Sequence, residues 1–191
     1  MGFKPMGERD AMWNIPNSLT AFRIVLVPVL VAVLLTEFPD REVWGLGSFV
    51  VGTVTDYFDG FIARRTGAVT VMGSLLDPIA DKLLITAAFI SLVELDLAPA
   101  WMVTIIVGRE FAVTALRLIA LERGLPIAAN SWGKAKMVAQ VIAVAILILG
   151  KKLGSWIVLG HVSLWVALVL TVVSMVVYFW QNRSLLAEGK A

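Results

Sequence analysis

A chain of 191 residues, 59% of them hydrophobic and only 16% charged, with a mean hydropathy of +0.88, is too apolar for a soluble domain of that length. It contains no cysteine, which excludes disulfide and thiol chemistry. Runs close to the ~20 apolar residues that cross a bilayer core recur along the sequence and leave little room for a separate soluble domain. The expected architecture is all-α: a single membrane domain over residues 1–191, built as a bundle of six transmembrane helices. A β-barrel is excluded, because runs such as Val138 to Leu149 are apolar on every face and too long for strands.

In chain order, residues 1–16 carry Lys4, Glu8, Arg9 and Asp10 and lack the apolar core and small-residue cleavage site of a secretory signal. They read as a mature cytoplasmic or interfacial segment. A short interfacial helix is an option there, although Phe3, Met6, Met12, Trp13 and Ile15 do not form a clean stripe. The six spans are read at Leu19 to Leu35, Trp44 to Ile62, Leu75 to Leu95, Trp101 to Leu121, Val138 to Leu149 with its flanks, and His161 to Trp180. The connections between them are Thr36 to Val43, Ala63 to Ser74, Asp96 to Ala100, Glu122 to Met137 and Gly150 to Gly160.

Lys4, Arg9, Arg64, Arg65, Arg123, Lys134, Lys136, Arg183 and Lys190 fall in the amino terminus, the second and fourth connections and the tail, against Arg41, Lys151 and Lys152 on the other side. Positively charged loops stay in the cytoplasm, so both termini and those two connections are expected there, in the plasma (inner) membrane. Trp44, Trp101, Trp156 and Trp180 lie near span ends, where indole rings anchor in the headgroup layer. His161, the single histidine, lies on the opposite side and reads as a boundary residue.

Four aspartates carry the chemistry. Asp56, Asp59, Asp77 and Asp81 fall within or at the ends of apolar spans, where an ionised carboxylate is expensive and must be compensated. Spacings of three and four put each pair on one face of its helix. The short connection containing Arg64, Arg65, Thr66 and Gly67 makes the two helices antiparallel neighbours and can bring the pairs together. Four converging carboxylates repel unless cations sit between them, and hard oxygen ligands without Cys or clustered His favour magnesium, manganese or calcium over zinc. Magnesium suits phosphate chemistry best, with manganese as the alternative. Gly60, Ala63 and Gly73 remove bulk beside the cluster, and Arg64 offers a fork for phosphate oxygens. Structural ion pairing explains Arg65 and Lys82, but not a set of four acids.

Arg109, Arg117, Lys134 and Lys136 occupy the cytoplasmic halves of the fourth and fifth spans and suit a phosphorylated acceptor. Arg109 and Arg117 are eight positions apart, near one stripe of the helix, while Glu110 is turned about 100° from Arg109 and is not expected to satisfy it. Lys134 and Lys136 open a helix after the cap candidate Ser131. For the lysines, positive-inside anchoring is the alternative and ranks below a phosphate-binding role.

Read in order, Asp56-x2-Asp59-Gly60-x2-Ala63-Arg64-x8-Gly73-x3-Asp77-x3-Asp81 resembles, without a gap, the signature of the CDP-alcohol phosphatidyltransferase family. Eight specified residue types, each at about 5% frequency, would recur by chance with a probability on the order of 10^-10 per start position. The flanks resemble the branch of that family that makes phosphatidylglycerophosphate: Asn14-Ile15-Pro16-Asn17-x-Leu19-Thr20-x2-Arg23, Asp77-Pro78-x-Ala80-Asp81-Lys82, Gly108-Arg109-Glu110-Phe111, Leu116-Arg117 and Ser131-x-Gly133-Lys134-x-Lys136-x3-Gln140. Met137 departs from that branch, which usually carries threonine there.

The resemblance implies two metal ions held by Asp56, Asp59, Asp77 and Asp81, with Asp81 also acting as general base. It implies a CDP pocket formed by Asp56, Gly60, Ala63, Arg64, Thr70, Gly73, Ser74 and Asp77. It also implies CDP-diacylglycerol as donor, glycerol 3-phosphate as acceptor held by Arg109, Arg117, Lys134 and Lys136, and a homodimer among membrane lipids. Nucleic acid is not an expected partner. A sibling enzyme using inositol phosphate, serine or phosphatidylglycerol as acceptor is the alternative, and a cation transporter the remote one.

Overall fold

The computed structural model describes residues 15–66, 71–122 and 131–181, with the backbone alone described for 15–17, 57–66, 71–78, 81, 119, 121–122 and 131–132. The described residues are helical with short connections: α1 (Ile15–Leu35), α2 (Arg41–Thr66), α3 (Val71–Glu94), α4 (Ala100–Glu122), α5 (Ser131–Ile148), a short α6 (Gly150–Leu153) and α7 (Ile157–Gln181). No strand occurs among them. Each expected span lies within, or overshoots by a residue, one long helix. The expected segment before α1 lies, up to Asn14, outside the described residues.

The chain divides into two units, residues 1–88 and 89–191, with the boundary inside α3. In the first unit α1 packs on α2. Leu30, Leu34, Phe49 and Leu84 supply its buried apolar side chains. Gly52 sets the approach of the helices: a Cβ there would lie 2.6 Å from Leu84 Cδ2 and 3.1 Å from Leu26 Cδ2. Small residues at such crossings let backbones come close where lipid gives no hydrophobic drive for association.

In the second unit α7 packs on both α5 and α4. Phe89, Leu92, Met102, Ile106, Val144, Leu147 and Leu164 form the buried apolar centre. Gly160 of α7 plays the part of Gly52, since a Cβ there would lie 2.7 Å from Leu147 Cδ2 on α5. The carboxyl end of α3 closes in a Schellman arrangement: Asp96 takes φ 57°, its N–H donates to Val93 O at 3.0 Å, and Leu97 N–H donates to Leu92 O at 2.9 Å. Leu92 and Leu97 are both buried, as apolar residues at these two positions of the cap commonly are.

The expected connections shorten. In the one from Ala63 to Ser74, the backbone of α2 stays helical through Thr66 and that of α3 is helical from Val71, and in the one from Glu122 to Met137, α5 already begins at Ser131. The connection Gly150 to Gly160 is mostly helical: α6 and a 3-10 turn over Gly154–Trp156 precede α7, and the chain redirects at Gly154, which takes φ 54°. Glycine tolerates that conformation without steric cost, so the run can bend without unravelling.

The helices present apolar side chains outward. Val25, Ile90, Val138 and Val162 are all more than half exposed, and Trp44, Trp101, Trp156 and Trp180, at or near helix ends, are exposed by 66%, 52%, 67% and 69%. An outer surface this apolar suits lipid rather than water. Among the described residues, Ser18–Leu35 and Gly150–Gln181 are long and apolar enough to cross a membrane. Charged residues interrupt α2, α3 and α4.

Candidate functional site

In the first unit, α2 carries Asp56, Asp59, Gly60, Ala63 and Arg64, and α3 carries Gly73, Ser74, Asp77 and Asp81. The pairs expected at spacings of three and four are therefore each on a continuous helix. The side chains of Asp59, Ala63, Arg64, Ser74, Asp77 and Asp81 lie outside the described residues, as does Thr70 altogether. Among the described residues no three metal-ligating side chains come together.

Asp56 is described in full. Its Oδ1 lies 3.0 Å from Arg23 Nη1 on α1, with the Arg23 side chain 1% exposed and that of Asp56 22% exposed. A guanidinium this buried on an apolar helix needs an anion, and Asp56 supplies one. Asp56 keeps part of its surface accessible. The four acids of the sequence pattern on α2 and α3 are aspartates, whose carboxylate oxygens have the ligand chemistry that magnesium prefers.

In the second unit the structure assembles a buried polar cluster from three helices. Glu110 (α4), 3% exposed, accepts a hydrogen bond from Lys136 Nζ (α5), which is 4% exposed. Arg109 Nη1 lies 3.4 Å from the same Glu110 oxygen, and Arg109 Nη2 donates to Ser174 Oγ on α7 at 3.0 Å. Ser174 in turn donates to Thr171 O at 3.0 Å, so its hydroxyl is used as both donor and acceptor. Gln140 Nε2 sits 3.4 Å from both Glu110 Oε1 and Thr171 Oγ1, a pair of long contacts that close the cluster. Arg109 Nε is buried without a hydrogen-bond partner among the described residues.

Of the four cations expected at an acceptor phosphate, Arg109 and Lys136 are thus brought together and buried, whereas Arg117 and Lys134 are exposed. The expectation that Glu110 is turned away from Arg109 gives way. Consecutive helix positions do diverge by about 100°, but a long guanidinium arm spans the angle, and Lys136 approaches from another helix. The sequence segments that carry the resemblance include Glu110 and Gln140, but no role is assigned to them from sequence. Their signal was available: an acid inside an apolar span requires a partner, and Gln140 follows Lys136 by one helical turn. His161 is half-buried on α7 and donates from Nδ1 to Ile157 O at 3.2 Å, a local contact in keeping with a boundary residue.

Comparison with known proteins places these features in a family. The family model for CDP-alcohol phosphatidyltransferase matches residues 13–173. A protein of Bacillus subtilis strain 168 named CDP-diacylglycerol--glycerol-3-phosphate 3-phosphatidyltransferase is 44% identical over 186 residues, covering 90% of this chain and 96% of that relative. Proteins of the same name from Salmonella choleraesuis and Rickettsia bellii are 38% and 36% identical, covering 90% and 87% of this chain and 96% and 93% of their own lengths. With a family model spanning most of the sequence and relatives matched nearly end to end, the chain belongs to the CDP-alcohol phosphatidyltransferase family.

Proposed function

We propose that this protein transfers the phosphatidyl group of CDP-diacylglycerol to glycerol 3-phosphate, giving phosphatidylglycerophosphate and CMP in phospholipid biosynthesis. The observation that carries this reading is the unbroken eight-residue signature from Asp56 to Asp81, borne on two consecutive helices. The names of the relatives support the donor and the acceptor.

In this reading Asp56, Asp59, Asp77 and Asp81 hold magnesium, two ions being the expectation, and bound magnesium neutralises charge on the pyrophosphate of the donor. Gly60, Ala63 and Gly73 leave room for the nucleotide, while Arg64, Thr70 and Ser74 offer polar groups to it. Asp81 takes the proton from a free hydroxyl of the acceptor. The acceptor oxygen forms its bond to the phosphorus that carries the diacylglycerol, and the bond from that phosphorus to the bridging oxygen breaks. CMP leaves with the electron pair.

Arg109, Arg117, Lys134 and Lys136 supply positive charge for the phosphate of glycerol 3-phosphate, two of them from a buried setting and two from the surface. Six of the helices cross the membrane as a polytopic bundle, with the acidic cluster on the cytoplasmic side where the basic residues concentrate. The protein works as a homodimer among membrane lipids, as is usual for the family it resembles.

The test is CMP release by purified full-length protein in detergent with CDP-diacylglycerol and magnesium. Glycerol 3-phosphate, inositol phosphate, serine, phosphatidylglycerol and no acceptor are compared. Release that needs glycerol 3-phosphate is the expected result. Release that needs another acceptor keeps the family chemistry and overturns the acceptor.

A further inference from the structure

Glu110 has no role in the chemistry above, yet it is the anion around which the buried cluster is organised. One carboxylate oxygen receives Lys136 from α5 and, both at 3.4 Å, Arg109 from its own helix and Gln140 from α5. On α7, Ser174 accepts from the other end of the Arg109 fork at 3.0 Å and donates its own O–H to the Thr171 carbonyl. Arg109 and Glu110 are 8% and 3% exposed and Lys136 is 4% exposed, so these charges cannot be balanced by bulk water.

The geometry does two things. First, long cationic side chains inside an apolar bundle otherwise snorkel toward the interface, and an acid between them holds them inside. Second, it fixes two of the three guanidinium nitrogens of Arg109. Nη1 is turned to Glu110 and Nη2 to Ser174, while Nε is buried with no partner among the described residues. A buried donor without a partner is costly unless a ligand supplies an acceptor.

We infer that Glu110 is a positioning residue for the acceptor: it holds Arg109 and Lys136 in place so that they meet the phosphate of glycerol 3-phosphate. The inference rests on the acceptor reading above. Ser174 shares the task by fixing the second nitrogen of the Arg109 fork. A rigid cation set binds a phosphate with less ordering cost than a mobile one, so loss of the anchor falls on acceptor binding more than on the donor.

The experiment measures KM for each substrate, kcat and melting temperature for the wild type, Glu110→Gln, Ser174→Ala, Lys136→Met and the double variant Glu110→Gln/Lys136→Met. All are full-length proteins in detergent. Glu110→Gln is expected to raise KM for glycerol 3-phosphate about tenfold or more, with KM for CDP-diacylglycerol within about twofold of wild type. Ser174→Ala, a mild truncation, is expected to raise the acceptor KM alone by about threefold to tenfold. The double variant should be no worse than the worse single one, since residues that act through one another do not add.

Acceptor and donor KM rising together, or fully additive losses in the double variant, would overturn the inference in favour of a purely structural cluster. Should Glu110→Gln not fold, Ser174→Ala decides alone, and an unmoved acceptor KM overturns the proposal. If the wild type uses a different acceptor, the acceptor reading fails separately. The Glu110 inference is then judged on the KM of the acceptor actually used, and an unmoved value there overturns it.

Discussion

Arg23 Nη1 lies 3.0 Å from Asp56 Oδ1, joining the first helix to the first aspartate of the signature through an ion pair whose basic partner is 1% exposed. Asp56 is thus balanced by a fixed cation before any metal is considered. Replacing Arg23 with Gln should destabilise the protein by about 1–3 kcal/mol, below the ~3–5 kcal/mol typical of a fully buried pair because Asp56 keeps contact with water. The loss should be larger in chelator than in excess magnesium, where the metal can neutralise Asp56 in place of the guanidinium. Thermal unfolding under both conditions checks this, and equal losses would contradict it.

Two glycines make a paired test of packing. Gly52→Val places methyl groups where Leu84 and Leu26 already sit, so it is expected to destabilise by about 1–3 kcal/mol. Gly47→Ala, on the same helix with nothing within 4 Å of the new Cβ, should stabilise by up to about 1 kcal/mol. A Gly52→Val melting temperature at or above that of the wild type would show that helix approach at Gly52 is not a constraint.

Removal of divalent metal should abolish CMP release, and added magnesium should restore it. Zinc should restore far less, since carboxylate oxygens without Cys or clustered His suit hard cations. Undiminished release after exhaustive chelation would contradict a four-carboxylate metal site.

Much of this was legible in the sequence, for a physical reason. Long apolar runs favour helices that satisfy their backbone internally, so hydropathy alone locates α1 to α4 and α7 to within a few residues, while α5 starts seven residues before the expected span. The acidic signature was equally legible, because charged residues in apolar runs stand out. The Arg23–Asp56 pair and the Glu110 cluster were not. They join residues 33 positions apart in the first case and up to 65 apart in the second, and periodicity along one helix carries no information about which face meets which. Gly154 illustrates a further limit: its positive φ redirects the chain within a helical run where hydropathy suggests a loop.

Asp81→Asn is expected to lower kcat by about 10^2 to 10^4, the range for loss of a general base, with size and fold preserved. Retention of near wild-type kcat would remove Asp81 from that role.

The most direct test of the central claim is the transfer of labelled glycerol 3-phosphate into lipid. Purified protein with CDP-diacylglycerol, magnesium and labelled acceptor should convert the label to a chloroform-soluble phospholipid in equimolar amount with released CMP. Asp81→Asn should stop both together. CMP released while the label stays in the aqueous phase would show that the phosphatidyl group goes elsewhere, and would contradict the account.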